Sequence, residues 1–225
     1  MGKTILTPKQ LNFLELIQSE PQITKRFYLT GGTALAEFYL HHRLSHDIDL
    51  FTEEQEVDQK LIEAFLKANS VKLSVIKIKR SQFLGLISYT LIFTDGEELK
   101  VDFNYYPFPR ISKGVNFGKL DVDSIYDIAT NKLHTLFMKP RERDYVDLYF
   151  ILKKEDYSIN KLILDAKAKF DWDIDKVNLV NQFIKVKDIK ESRLPKMLVA
   201  FKREDMEDLY LKLARSLKKE IFKTK

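Results

Sequence analysis

Residues 30–51 constrain the fold more than any other segment, because a Gly-Gly-Thr turn, a short apolar helix and an Asp-Ile-Asp triplet follow one another closely. Side chains alternate along a strand, so Asp47 and Asp49 are predicted to share one face while Ile48 and Leu50 face a core. Two neighbouring carboxylates repel each other unless a cation joins them. Mg²⁺ or Mn²⁺ binds carboxylate oxygens and keeps positions open for phosphate, so the triplet predicts a divalent metal site.

The Gly-Gly-Thr turn predicts an anion site beside that metal. Gly31 and Gly32 allow the backbone to approach a ligand closely, and Thr33 is a predicted cap of the following helix. The N-terminus of a helix presents free N–H groups to phosphate. A glycine turn before a helix is commonly only a cap, and an isolated Asp-x-Asp carries little information. Their order favours function, because one intervening helix brings the turn and the triplet to the same edge of a sheet.

A third carboxylate lies on a later predicted strand. Leu99, Val101 and Phe103 alternate with polar residues, which places Asp102 on a polar face. The simpler alternative is a solvated aspartate on an edge strand. Together with Asp47 and Asp49, Asp102 is predicted to share the metal and to accept the proton of an attacking hydroxyl.

A helical segment at residues 124–138 carries a lysine within its apolar stripe. Burying Lys132 is costly unless its stem reaches solvent or its charge meets an anion, and we favour a phosphate contact. A second helix is predicted just after Pro140, and its turns place Arg143, Asp144 and Asp147 on one face. An ordinary surface ion pair is the simpler alternative there.

These segments resemble a known family. The runs GGTALAEFYLHHRLSHDIDLF and NKLHTLFMKPRERDYVDLYFIL, with Asp102 between them, are similar to the polymerase-beta-like nucleotidyltransferase superfamily and, more narrowly, to the AbiEii/AbiGii toxin family. The likeness covers roughly residues 6–152, and the spacer between the glycines and the triplet lies at the long end of the pattern. It implies that Lys132, Arg143, Asp144 and Asp147 face the nucleotide, and that Ser45 matches a hydroxyl position near the triphosphate. Lys132 and Asp147 are predicted to be catalytic, with Asp147 as the alternative to Asp102 for deprotonating the acceptor hydroxyl.

The resemblance also implies an activity. Members of that family are the nucleotidyltransferase toxins of type IV toxin–antitoxin and abortive-infection systems, which implies an NTP substrate, pyrophosphate release, a tRNA 3′-end acceptor and a cognate antitoxin encoded alongside. Two alternatives stay open: the acceptor is a small molecule or a protein side chain, or the chain is a non-catalytic nucleotide-binding interaction protein. Three clustered acidic residues count against the second alternative, since a purely structural domain gains nothing from them.

Composition excludes several other classes. The 225 residues are 44% hydrophobic, which is enough for a sizeable core. The chain has no cysteine, so disulfides, thiol nucleophiles and cysteine-ligated zinc are excluded. No apolar run reaches membrane-spanning length and the first residues lack a signal-peptide core, so a cytoplasmic location without a membrane partner is expected.

The charge balance permits a polyanionic partner. The chain has 38 basic and 33 acidic residues, a net charge of +5. Basic residues cluster at Lys72, Lys77, Lys79 and Arg80, and again from residue 196 onward. Each cluster could be only a solvated face. If the acceptor is RNA, its phosphates are expected at these clusters, with binding that weakens as salt rises.

The predicted fold class is α+β, with a nucleotidyltransferase-like mixed sheet and flanking helices followed by a C-terminal helical domain. We predict a first lobe at residues 1–110, a connector at 111–123 marked by prolines and glycines, and a helical lobe at 124–225, with the nucleotide in a cleft between the lobes. Strands are expected near residues 71–78, 83–93 and 99–106, with a hairpin turn at Asp95-Gly96. Helices are expected near residues 7–20, 58–69, 124–138, 160–170 and 204–222.

Overall fold

The computed structural model describes residues 4–53, 56–83 and 85–223. They form two compact units, and each unit combines separate stretches of the chain. The sheet unit contains the chain up to Tyr39, Ser45–Pro109 and Lys113–Ser124. The helical unit contains Leu40–Leu44, Arg110–Ser112 and the chain from Ile125 onward. Residues 113–123 of the predicted connector, and Ser124 of the predicted helical lobe, therefore cluster with the sheet unit.

The sheet unit is built on one mixed sheet, which confirms the predicted α+β class. Its strands are β1 (Tyr28–Thr30), β2 (Ile48–Thr52), β3 (Val75–Phe83), β4 (Leu86–Phe93), β5 (Glu98–Tyr105), β6 (Asn116–Phe117) and β7 (Leu120–Val122). Their order across the sheet is β3-β4-β5-β2-β1-β7-β6. The pairs β2–β5 and β1–β7 are parallel, and the other neighbours are antiparallel.

The alternation predicted from the sequence is present in β2 and β5. Ile48 and Leu50 are fully buried, as are Val101 and Phe103, while Asp49 and Asp102 alternate with them on the other face. The Asp95-Gly96 turn joins β4 to β5, and Gly96 adopts the positive φ of +83° that such turns require. One face of the central strands thus belongs to the core and the opposite face carries the carboxylates.

The first and the last of the helices described in the sheet unit begin within one residue of the starts predicted at residues 7 and 58. The helices described there are α1 (Pro8–Gln18), α2 (Pro21–Thr24), α3 (Gly31–Leu35) and α4 (Gln59–Ala68). Thr7 caps α1 in a capping box with Gln10, and the Asp58 side chain accepts from the Leu61 N–H at the start of α4. The short α3 continues into a π-helical turn at Ala36–Leu40, which the sequence did not predict.

The helical unit contains α5 (Ile125–Met138), α6 (Glu142–Lys154), α7 (Ile159–Phe170), α8 (Lys176–Ile184) and α9 (Arg203–Lys223). Residues of Leu40–Leu44 belong to it through an antiparallel bridge between Arg43 and Met197 and a bond from the Leu44 N–H to the Lys196 carbonyl, 2.9 Å long. Among the helices of the described residues, none is both long enough and apolar enough to cross a membrane.

Candidate active site

Two of the predicted metal ligands lie side by side in the sheet. Asp49 on β2 is the direct register partner of Asp102 on β5 in the parallel pair. Register partners point to the same face, and neighbouring strands lie about 4.8 Å apart. The backbone register therefore brings these two carboxylates together, although their strands are distant in sequence.

Gly31 lies directly against the Asp49 carboxylate. A Cβ atom added to Gly31 would lie 2.2 Å from Asp49 Oδ2, and the residue has a φ of +76°. Both observations require glycine, the first for space and the second because L-residues rarely adopt this conformation. The glycine turn and the aspartate strand are thus packed against each other, as their order in the sequence predicted.

Thr33 ties the same turn to the start of the triplet. Its hydroxyl donates to the Asp47 carbonyl, and its side chain is buried. The prediction that Thr33 caps the helix is wrong, because α3 begins at Gly31 and Thr30 occupies the cap position without a side-chain cap bond. The Thr30 hydroxyl instead donates to Asp123 Oδ2 at 2.7 Å. Gly32 is half-buried within the first turn of α3.

Asp102 has one engaged and one unengaged carboxylate oxygen. Oδ2 lies 2.5 Å from the Lys100 ammonium, whereas Oδ1 is buried and has no hydrogen-bond partner among the described residues. A buried acceptor left without a donor costs free energy unless something else binds it. The donor set of Asp49 and Asp102 suits a hard divalent cation, which takes carboxylate oxygens.

Asp47 and Ser45 lie just before β2, on a segment that α1 holds in place. Both are half-buried. The amide of Gln10 donates to the Ser45 carbonyl at 2.9 Å and to the His46 carbonyl at 3.1 Å. Within the part of the chain that the structure describes, no three His, Cys, Asp or Glu side chains form a ready group for a metal. The structure therefore pairs Asp49 with Asp102 and leaves Asp47 adjacent to them along the chain.

The helical unit gathers a second set of predicted residues around Asp147 on α6. The Asp147 carboxylate is completely buried and accepts from Arg43 at 2.6 Å (Nε) and 2.8 Å (Nη2). His42 Nε2 lies 2.9 Å from Asp147 Oδ1, and Lys132 Nζ lies 2.6 Å from Oδ2. A two-bond contact with a guanidinium is among the strongest charge-assisted geometries. We call Arg43, His42, Lys132, Asp144 and Asp147 the α6 network.

Asp144 belongs to the α6 network through the same lysine. Lys132 Nζ lies 2.7 Å from Asp144 Oδ1, and Oδ2 accepts from the backbone and side chain of Arg141 at 3.0 and 3.1 Å. Lys132 is thus buried in the apolar stripe of α5, as predicted, and its charge meets two carboxylates. Arg143, the second residue of α6, is half-buried.

The pKa values of the α6 network follow from burial and charge. Burial alone would raise the pKa of Asp147, but the charges of Lys132 and Arg43 hold it well below its usual range. Burial would also raise the pKa of Asp144, but the charges of Lys132 and Arg141 outweigh burial and lower this pKa. Burial lowers the pKa of His42, which outweighs the opposite effect of the neighbouring Asp147 carboxylate.

Sequence reasoning missed three residues of these sites: Gln10, His42 and Arg43. Arg43 and Asp147 are 104 positions apart, so no periodicity links them. Gln10 is 35 positions from Ser45 and was visible only as the N3 residue of a capping box. The one local signal is the adjacent pair His42-Arg43 after an apolar helix. Two polar residues at that place suggest that the helix ends there.

Comparisons with known proteins agree with the fold and the motifs. A sequence model of the family described as "Nucleotidyl transferase AbiEii toxin, Type IV TA system" matches residues 14–220. An uncharacterized protein of Aquifex aeolicus is 30% identical over 172 residues, which are 75% of this chain and 78% of that protein.

Two crystal structures share the fold over nearly the whole chain. JHP933 from Helicobacter pylori has 20% identity and a TM-score of 0.55, covering 97% of this chain and 95% of that one. A putative nucleotidyltransferase from H. pylori has 19% identity and a TM-score of 0.58, covering 98% and 99%. The family match spans both the carboxylate-bearing sheet and the α6 network, and the chain accordingly belongs to the AbiEii family of nucleotidyltransferases.

Proposed function

We propose that this nucleotidyltransferase uses a divalent cation to transfer a nucleotide from an NTP to the 3′-terminal hydroxyl of an RNA, a tRNA in the first instance. The observation that carries the metal dependence is the register pair Asp49–Asp102 together with the buried Asp102 Oδ1, which has no hydrogen-bond partner within the described part of the chain. An ionised carboxylate with an unused oxygen beside a second carboxylate is stabilised by a shared cation.

Asp49 and Asp102, with Asp47 beside them on the chain, are the residues proposed to hold the cation. When bound, Mg²⁺ or Mn²⁺ would neutralise charge on the phosphate oxygens and lower the pKa of the attacking hydroxyl. Gly31 keeps the space beside Asp49 free of a side chain, so the backbone can approach a phosphate there. Gly32 and Thr33 extend that turn, and Ser45 precedes the triplet.

The transfer forms one oxygen–phosphorus bond and breaks another. The acceptor hydroxyl attacks the α-phosphate in line, and the bond to pyrophosphate breaks with its electron pair leaving on that group. Asp102 is the proposed acceptor for the hydroxyl proton, because Oδ1 has no partner among the described residues. Both oxygens of Asp147 are engaged and its pKa is depressed, which makes it a poor base.

Residues of the α6 network are proposed to act through Lys132. The family resemblance assigns Lys132, Arg143 and Asp144 to the nucleotide, and a phosphate is the natural ligand for a lysine ammonium. Asp144 and Asp147 hold that ammonium from two sides at 2.7 and 2.6 Å, and Arg43 and His42 hold Asp147 in turn. Asp147 is therefore proposed as a positioning residue for Lys132.

The proposed biological role is that of the toxin in a type IV toxin–antitoxin or abortive-infection pair. Modifying the 3′ end of tRNA would halt translation, which requires action in the cytoplasm, and an antitoxin encoded alongside would restrain it. The description of the matching family names such a system. Expression of the chain without a neighbouring antitoxin gene should arrest growth, whereas the Asp102→Asn variant should not.

A labelling experiment tests the activity directly. Each NTP, labelled at the α-phosphate, is offered in Mg²⁺ with total RNA, protein or small-molecule acceptors. We expect label to enter RNA, no label to transfer from γ-labelled NTP, and both Asp49→Asn and Asp102→Asn to lose transfer by at least about 10³-fold. Asp121→Asn, an exposed aspartate on β7, is the matched control.

Other outcomes of this experiment would contradict the proposal in separable ways. Label in protein or in a small acceptor would move the chain to another substrate class. Full transfer by Asp102→Asn would remove the carboxylate pair from the mechanism. A lack of transfer from every NTP to every acceptor, with binding of NTP retained, would favour the non-catalytic alternative.

A further inference from the structure

The sheet face that carries Asp49 and Asp102 continues across β5 and β4 to the edge strand β3. The register places Asp102 in line with Ser88 and Ser81, which form the hydroxyl row. It places Lys100 in line with Thr90 and Lys79, which form the lysine row. Lys77 lies on the same face as Lys79, because side chains two positions apart on a strand point the same way.

An apolar row borders the hydroxyl row on its other side. Phe83 and Leu86 are register partners at the β3–β4 hairpin, and they are 72% and 49% exposed. Exposed large apolar side chains beside a row of hydroxyl groups are a ready surface for a ligand that has both flat and charged parts. Along the seven residues from Lys77 to Phe83 of β3, this face therefore carries two lysines, then the hydroxyl group of Ser81, then an aromatic ring.

The opposite face of the same strands packs into the core. Tyr89, Leu91 and Val101 are buried on that side. Arg80 lies there as well, and its guanidinium contacts Gln59 at 2.9 Å and Glu63 at 3.0 Å, both on α4. The basic cluster predicted from the sequence is thus divided by the strand alternation, and only Lys77 and Lys79 share the face of the carboxylates.

We propose that this face binds the single-stranded 3′ end of the RNA acceptor, with phosphates on Lys77 and Lys79 and a base stacked on Phe83. The proposal rests on the proposed function, because it supplies the surface that delivers the acceptor hydroxyl to Asp102. Asp102 and Ser81 are two strand spacings apart, about 10 Å. A lysine track beside an exposed aromatic ring is the arrangement with which proteins bind single strands without reading their sequence.

The lysines are available for such a ligand. Lys79 faces Glu98 at 3.6 Å with both side chains 53% exposed, a contact that contributes little and is readily exchanged for a phosphate. Lys100 is bound to Asp102, so it is left out of the test. Lys77 and Lys79 lie farther from the carboxylates, and replacing them leaves the proposed catalytic groups intact.

The test measures RNA binding apart from catalysis. A short fluorescein-labelled single-stranded RNA with a free 3′ hydroxyl is titrated with the protein, without NTP, at several salt concentrations. We expect Lys77→Gln/Lys79→Gln to weaken binding about tenfold at low salt and to lower the slope of log affinity against log salt by about 1.4, since each phosphate contact contributes about 0.7. Lys60→Gln/Lys67→Gln on α4 removes the same charge and should bind like the wild type.

A second variant tests the aromatic part of the surface. Phe83→Ala should weaken binding about tenfold at every salt concentration without changing the slope, because stacking involves no ion release. Trp172→Ala removes an exposed aromatic side chain that lies outside both basic clusters, is 55% exposed, and should have no effect. Melting temperatures of all variants check that the fold is retained.

Failure of this surface is distinguishable from failure of the proposed function. Two results together support both the surface and the proposed function. The wild type transfers nucleotide to RNA, and Lys77→Gln/Lys79→Gln has an increased KM for RNA but an unchanged KM for NTP. Transfer with unaltered RNA binding and KM in that variant would overturn the surface alone. Variant-sensitive RNA binding without any transfer to RNA would overturn the acceptor role, and tighter binding of a duplex of the same sequence would overturn the single-strand assignment.

Discussion

At the scale of single residues, the site is defined as much by a missing side chain as by the carboxylates. Asp49 Oδ2 occupies the space that a Cβ of Gly31 would need, and the Thr33 hydroxyl binds the carbonyl of Asp47 from the same turn. The sequence showed that the glycine turn and the triplet belong together. It could not show which glycine contacts which aspartate, because that depends on the antiparallel register of β1 with β2, where Thr30 faces Asp49.

Replacing Gly31 by alanine should damage activity far more than stability. The added Cβ would displace the Asp49 carboxylate, so we expect transfer to fall by about 10²-fold, as misplacement near 1 Å commonly costs. The positive φ adds a strain of about 1–2 kcal/mol. Gly96→Ala is the matched control, because Gly96 also has a positive φ, of +83°, but nothing lies within 4 Å of its added Cβ.

Steady-state transfer kinetics and urea denaturation of the two variants separate the two effects. Equal losses of stability with a loss of activity only in Gly31→Ala would agree with the contact at Asp49. Equal activity of the two variants would show that Asp49 does not need its present position.

At the scale of elements, periodicity predicted what lies within one strand or helix and missed what depends on partners. The alternation in β2 and β5 and the helices that begin near residues 7 and 58 were predictable because each signal lies within one short stretch of the chain. The strand β7 was missed, because three residues are too few to show alternation and its pairing with β1 joins positions far apart in the chain. The π-helical turn at Ala36–Leu40 was missed because an apolar spacing of three and four residues fits either kind of helix.

The α6 network makes stability depend on pH through Asp147. Its folded pKa lies well below its unfolded value of about 3.9, so the stabilisation is fully present above that value and is lost as pH falls through the folded pKa. Asp147→Asn at pH 7 leaves Arg43 and Lys132 with one anionic partner fewer, and we expect it to cost about 3–5 kcal/mol. That difference from the wild type should shrink progressively below about pH 4, where the unfolded carboxyl of the wild type is protonated.

Urea denaturation at a series of pH values measures this dependence. Asp173→Asn is the control, because Asp173 pairs with Lys167 at 2.7 Å but both side chains are more than half exposed, and we expect a cost below about 1 kcal/mol. A loss in Asp147→Asn that stays constant down to the lowest pH would contradict the assigned ionisation.

At the scale of the whole molecule, the two units are not successive segments of the chain. The chain passes from one unit to the other after Tyr39, Leu44, Pro109, Ser112 and Ser124. The helical unit contains short stretches from earlier in the chain, and its buried charges depend on them. Besides Arg43 on Asp147, the backbone N–H groups of Ile111 and Ser112 donate to the buried Asp127 at 2.7 and 3.0 Å. The domain boundary predicted at residue 124 lies where the helices of this unit begin, but it separates them from the earlier stretches that make these contacts.

Cutting the chain at that boundary should therefore yield a helical fragment that does not fold stably by itself. A fragment from Ile125 to the end would retain Lys132 and Lys169 as partners of Asp147 and Asp127 but would lose Arg43, His42 and the two backbone donors. Buried carboxylates that lose hydrogen-bonding partners cost several kcal/mol each, comparable to the whole stability of a small domain. We expect weak helical circular dichroism and no cooperative melting.

Adding the separately produced fragment of residues 1–124, which supplies both missing stretches, should restore helix content and a cooperative transition. Cooperative melting of the Ile125 fragment alone would show that the stretches at Leu40–Leu44 and Arg110–Ser112 are dispensable for the helical unit.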